Sequence, residues 1–124
     1  MDTPATRAAL GRYGEQLACR YLSDNGFTIL ERNWRCARGE IDIIARDAGT
    51  LVVCEVKTRS SELFGAPFEA VTRHKLRRLR RLAMLWLEAQ VPKERAGVSL
   101  RIDIISILRP ESGAASITHL RGVS

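Results

Sequence analysis

One stretch of this chain, EIDIIARDAGTLVVCEVKTR from Glu40 to Arg59, constrains the fold more than any other. Ile41, Ile43 and Ile44, then Leu51, Val52, Val53, Cys54 and Val56, form two near-continuous apolar runs on either side of Asp47-Ala48-Gly49-Thr50. Runs rich in β-branched residues around a short Gly-containing segment read as a hairpin. Strands apolar at almost every position, rather than at every second one, are covered on both faces. The rest of the chain must therefore supply a layer on each side of the hairpin. It must also accommodate Glu40, Asp42, Glu55 and Lys57, which interrupt the apolar runs.

Two helical patterns meet the first demand. Leu10, Tyr13, Leu17, Ala18, Tyr21 and Leu22 recur at helical spacing before the stop signal Asn25-Gly26. Gly11 and Gly14 each cost about 1 kcal/mol relative to alanine inside such a helix, which fits either a close approach by another part of the structure or a tolerated weakness. A second helix is expected over residues 69–90, with Val71, Leu76, Leu79, Leu82, Ala83, Trp86 and Leu87 on its apolar face and Pro92 just beyond. Strands are expected at 27–34, 100–108 and 116–120, with a basic turn at 35–39 and a loop at 60–67. The order α-β-β-β-α-β-β implies one α/β domain over residues 1–124, with a mixed sheet of four to five strands flanked by helices.

Composition narrows the function classes. No apolar stretch is long enough to span a bilayer, and the first residues lack the basic and apolar regions of a secretory signal. Cys19, Cys36 and Cys54 are odd in number and show no CxxC spacing, which argues against a disulfide framework or a zinc knuckle and fits a cytoplasmic protein. With only His74 and His119, no Gly-rich phosphate loop and no serine or cysteine in a nucleophile motif, other common chemistries find little support. The net charge of +6 allows either a polyanionic partner or a solvated basic surface. Its distribution favours the partner: Arg73, His74, Lys75, Arg77, Arg78, Arg80 and Arg81 crowd the start of the second helix with no acid between them. Snorkelling stems around a buried face are the alternative. Arg59, Arg73, Lys75, Arg77, Arg78 and Arg81 are the candidate nucleic-acid contacts.

The charges inside the hairpin carry the sharper hypothesis. An even loop, of two residues at Ala48-Gly49 or four at Asp47 to Thr50, places Asp42 opposite Glu55 and Glu40 opposite Lys57, whereas an odd loop does not. Opposed carboxylates repel unless something positive lies between them. Magnesium, or manganese, suits that position, because such ions take oxygen ligands from one or two carboxylates and complete their shell with water and phosphate. Lys57 could then orient or deprotonate a water, or stabilise charge on a phosphate. Glu15 could act through a metal-bound water if the first helix packs beside this sheet face. A wet sheet face carrying a surface charge network is the competing reading, which the near-continuous apolar runs weaken.

Asp42 followed by Glu55-Val56-Lys57 resembles the D…ExK core of the PD-(D/E)xK nucleases. Gly14-Glu15, Arg32-Asn33-Trp34-Arg35, Gly39 to Ala45, Glu55 to Arg59 and Phe64-Gly65 resemble the YraN-like family, itself similar to Holliday-junction resolvases. The resemblance implies a restriction-endonuclease-like three-layer fold. It matches Glu15 to the helix glutamate, Asp42 and Glu55 to the metal carboxylates and Lys57 to the catalytic lysine, with Thr72 and Lys75 the best matches to the helix motif that follows. The function it implies is Mg-dependent or Mn-dependent endonucleolytic cleavage of structured or branched DNA, in a homodimer if both strands of a junction are cut. The last strand and the Phe64-Gly65 loop are then candidate interface groups. The competing functions are a non-catalytic nucleic-acid-binding protein with the same fold and a scaffold for a protein partner.

Overall fold

A computed structural model of the protein describes residues 4–60, 72–90 and 97–124. Its elements are α1 (Pro4–Asp24), β1 (Thr28–Cys36), β2 (Gly39–Asp47), β3 (Thr50–Arg59), α2 (Arg73–Glu88), β4 (Ser99–Leu108) and β5 (Ser116–Leu120). This is the α-β-β-β-α-β-β order expected from the sequence. The strands form one sheet in the order β1-β2-β3-β4-β5, antiparallel throughout except between β3 and β4. A parallel step needs a crossover, and α2 lies within it. The loop expected at 60–67, the Phe64-Gly65 pair, the start of the second helix at 69–71 and Pro92 fall wholly or mostly outside the described residues. α2 is described from Arg73, after Thr72, whose side-chain oxygen caps it by accepting the Lys75 N–H at 3.1 Å.

Both faces of the hairpin are covered. On one side Ala18 and Leu22 of α1 pack with Phe27, Ile43, Ala45, Val52, Cys54, Ile105 and Ile107. On the other, Leu76, Leu79, Leu82, Ala83 and Trp86 of α2 pack with Ile41, Ile44, Leu51, Val53 and Ile102. The Trp86 indole N–H also reaches Glu31 on β1 at 3.1 Å, tying the helix to the sheet edge. No helix among the described residues is long and apolar enough to cross a membrane.

A polar cluster that the sequence did not announce fastens the C-terminal strand. Asp103, fully buried, accepts from Arg101 Nε at 2.9 Å, Arg101 Nη2 at 3.0 Å and the Gly122 N–H at 3.0 Å, and His119 Nε2 lies 2.7 Å from its Oδ2. The other ring nitrogen of His119 meets the Tyr21 hydroxyl of α1 at 3.0 Å, and Arg101 reaches Asp47 at 3.0 Å. Burial pushes the Asp103 carboxyl up, but hydrogen bonds from Arg101, Gly122 and His119 outweigh it and hold the group below the usual carboxylate range.

The two helix glycines separate cleanly. A Cβ at Gly14 would overlap the Thr58 hydroxyl and lie 2.9 Å from the Thr58 Cβ, whereas a Cβ at Gly11 would meet nothing within 4 Å. Gly14 is thus the point where α1 descends onto β3, and Gly11 is only a weak helix residue. Gly11→Ala is expected to stabilise the protein by about 0.5–1 kcal/mol and Gly14→Ala to destabilise it by about 1–3 kcal/mol. Urea unfolding of the two variants measures both, and Thr58→Ala, which removes the hydroxyl but keeps the Cβ, should recover only part of the Gly14→Ala loss.

Candidate functional site

The β2–β3 turn is the even one. Asp47 pairs with Thr50 across Ala48-Gly49, Ala48 takes the left-handed conformation (φ 54°), and the register runs through to Ile43 opposite Cys54. Asp42 and Glu55 are the next step in that register, but the regular pairing of β2 with β3 ends before them. There the Asp42 carboxylate accepts the Val56 N–H at 2.8 Å, so a side chain takes over the seam between the strands.

Local irregularity prepares this exchange. Ile41 and Ile44 both pack on the α2 side, so the alternation of β2 breaks between them, at Asp42. Across the seam with β1, the pairs Arg32–Ile43 and Trp34–Ile41 bracket Asn33, which adopts a left-handed φ of 52°. Asparagine tolerates that conformation better than most residues. Glu40 does not reach Lys57 as the sequence register implied. The β2–β3 ladder stops short of it, and its side chain pairs instead with Arg35 at 3.0 Å, well exposed.

Strand β3 keeps its alternation, so Glu55 and Lys57 share the α2 side with Leu51 and Val53. Lys75, expected among the phosphate contacts, turns inward, and its Nζ lies 2.8 Å from Glu55 Oε2, with side-chain exposures of 18% and 13%. The spacing could have shown this, because Lys75 lies one turn before Leu79 and shares the buried stripe of α2. The ammonium is thus the close partner of the buried Oε2, which has no other donor among the described residues. Burial lowers the Lys57 amine, the positive charge of Lys75 lowers it further, and Glu55 and Asp42 pull in the opposite sense.

The Asp42 carboxyl is pushed up to about 6, first by burial and then by the negative charges of Glu15, Glu55 and Glu40, against the Val56 hydrogen bond. Glu15 does not share the face of Glu55, because α1 packs on the opposite side of the sheet. Its charge is still felt by Asp42. Arg73, His74, Arg77, Arg78 and Arg81 are exposed along α2, and Arg59 is half-buried at the end of β3.

Among the described residues no three His, Cys, Asp or Glu side chains gather closely enough to form a preformed metal cage. A magnesium-type site does not require one, since one or two carboxylates plus water and substrate phosphate suffice. Asp42 and Glu55 fit that donor set: both are oxygen donors, and one presents a buried oxygen whose close partner is the Lys75 ammonium.

A raised carboxyl carries a cost that can be measured. Protonated Asp42 favours the fold below its unfolded value near 3.8, and this contribution is lost as pH rises through about 6. Asp42→Asn keeps an acceptor for Val56 without the charge. It is expected to be more stable than the parent at pH 7.5 by about 1–3 kcal/mol in urea unfolding, with the gain vanishing below about pH 4. Equal stability at both pH values would show that the charge is not held at a cost.

The chain matches the family described as "Uncharacterised protein family UPF0102" over residues 14–107, a span that holds Glu15, Asp42, Glu55, Lys57 and Lys75 and stops before β5. It is 51% identical over 119 residues to a UPF0102 protein of Nocardioides sp., covering 96% of this chain and 94% of that protein. It is 55% identical over 115 residues to one from Beutenbergia cavernae, covering 93% and 95%. A UPF0102 protein of Streptomyces coelicolor is 54% identical over 119 residues, covering 95% and 90%.

Proposed function

This chain belongs to the UPF0102 family, the YraN-like family that its motifs resemble, and we propose that it is a metal-dependent nuclease of the PD-(D/E)xK type acting on structured or branched DNA. The observation that carries this reading is the meeting of Asp42, Glu55 and Lys57 at the end of the β2–β3 ladder in an unfavourable electrostatic state. One carboxyl is raised to about 6, and the other keeps a buried oxygen whose close partner is the Lys75 ammonium at 2.8 Å. Charges kept at such cost are a mark of function rather than of stability.

Asp42 and Glu55 would hold magnesium or manganese, which when bound supplies Lewis acidity toward the phosphate and neutralises developing charge. Lys57, its amine lowered by burial and by Lys75, is suited to take the proton of the attacking water. The water oxygen bonds to phosphorus, the bond to the leaving sugar oxygen breaks, and the proton passes to Lys57 Nζ. The exposed arginines of α2 hold the phosphate backbone.

Cleavage of both strands of a four-way junction requires two such sites, hence a two-fold dimer on that substrate. β5 is an edge strand available for the interface, whereas Phe64-Gly65 lies outside the described residues. A second reading, non-catalytic DNA binding, draws support from Lys75, which already occupies Glu55 at 2.8 Å.

The deciding assay presents labelled duplex, single-stranded, flap and four-way DNA with magnesium or manganese. Metal-dependent cleavage of at least one branched substrate is expected. Lys57→Ala and Asp42→Asn should each lower the rate by about 10²-fold or more while substrate affinity stays within a few-fold. Tight binding without cleavage of any substrate would select the second reading.

A further inference from the structure

The cationic surface of α2 is half of a recess. The β1–β2 hairpin closes with Cys36 paired to Gly39, and the Arg38 N–H donates to Cys36 Sγ at 3.4 Å. Gly39, at φ 143°, brings this tip against α2, where an added Cβ would lie 3.3 Å from a Leu82 methyl. Between tip and helix runs a groove of about 380 Å³ lined by Arg38, His74, Arg77, Arg78, Arg81 and Leu82. Arg78 also lines a second hollow of about 370 Å³, beside Arg35 and Glu40 at the hairpin tip. No carboxylate among the described residues forms an ion pair with Arg38, Arg77, Arg78 or Arg81. The groove begins at His74, next to the Lys75 that pairs with Glu55, and follows α2 to Arg81, about 10 Å at the helical rise.

We propose that this groove binds an unpaired nucleic-acid strand, with Arg38 of the hairpin and Arg78 of the helix as its opposing walls. Four guanidinium groups without acidic partners among the described residues call for a polyanion, and about 10 Å accommodates roughly two phosphates of an extended single strand. A duplex meets a protein as a convex surface, whereas a single strand can lie in a recess with its bases on guanidinium planes. The assignment rests on the nuclease reading only for what it implies about the cut: the cleaved phosphate would lie beside a single-stranded segment.

The test uses the full chain carrying Lys57→Ala, in EDTA, so that binding is read without cleavage. Fluorescence anisotropy compares a short labelled oligothymidylate with the same strand in a duplex. The single strand is expected to bind about tenfold tighter or more. Arg38→Ala with Arg78→Ala should remove that preference and lower the single-strand salt slope by about 1.4, for two phosphates. Both side chains are exposed, so an unchanged melting temperature verifies the fold. Arg38→Lys with Arg78→Lys should keep most of the salt slope and lose the preference. Equal affinity for single strand and duplex, or equal loss of both in the alanine variant, would overturn the assignment in favour of a general electrostatic surface. Failure of the hydrolytic reading appears separately, as absence of cleavage with the single-strand preference intact.

Discussion

A two-residue turn at Ala48-Gly49 sets the register of β2 against β3, and the placement of Asp42 beside Glu55 follows from it. A slip of one residue would send Asp42 to the wrong neighbour and turn the apolar set of β2 toward the wrong helix. The burial of Ile43, Ile44, Ala45, Val52 and Val53 between α1 and α2 makes such a slip expensive. The two helices therefore do more than cover the sheet. They lock the register that brings two carboxylates to adjacent strands.

Two buried acids show how the same chain treats charge in opposite ways. Asp103 is fully enclosed, yet donors from Arg101 and Gly122 and the ring of His119 satisfy it, and its carboxyl stays readily ionised. That cluster joins β4 to the C-terminal residues and, through Tyr21, to α1, which is a structural role. Asp42 has one backbone donor among the described residues and negative neighbours in Glu15, Glu55 and Glu40. Glu55 has Lys75 as a counterion at 2.8 Å. A protein able to satisfy Asp103 so fully could have placed a neutral residue at Asp42. Under the proposed function, this less fully satisfied pair is where an outside cation and a phosphate would complete the electrostatics.

Features set by local pattern were legible in the sequence. Continuous apolar runs required a layer on each face, and the parity of the turn placed Asp42 next to Glu55. What failed depended on where a ladder stops or which way a long side chain turns. Glu40 was assigned to Lys57 by extending a register that ends at Ile43 and Cys54, and it pairs with Arg35 instead. The run of basic residues groups Lys75 with the outward cations, although its place one turn before Leu79 turns it toward Glu55. Glu15 lies on the α1 face, opposite Glu55, a relation fixed only by how α1 packs. The Tyr21–His119–Asp103 chain joins residues up to 98 positions apart, and no local pattern signals such a contact.

Manganese titration, followed through paramagnetic broadening of the protein's NMR signals in the presence of a cleavage-resistant phosphorothioate oligonucleotide, tests the proposed metal site most directly. The parent should show saturable broadening centred on residues around Asp42, Glu55 and Val56, and Glu55→Gln and Asp42→Asn should each weaken binding by about tenfold or more. Equal affinity and an equal broadening pattern in the parent and both variants would contradict the claim that these two carboxylates receive a metal.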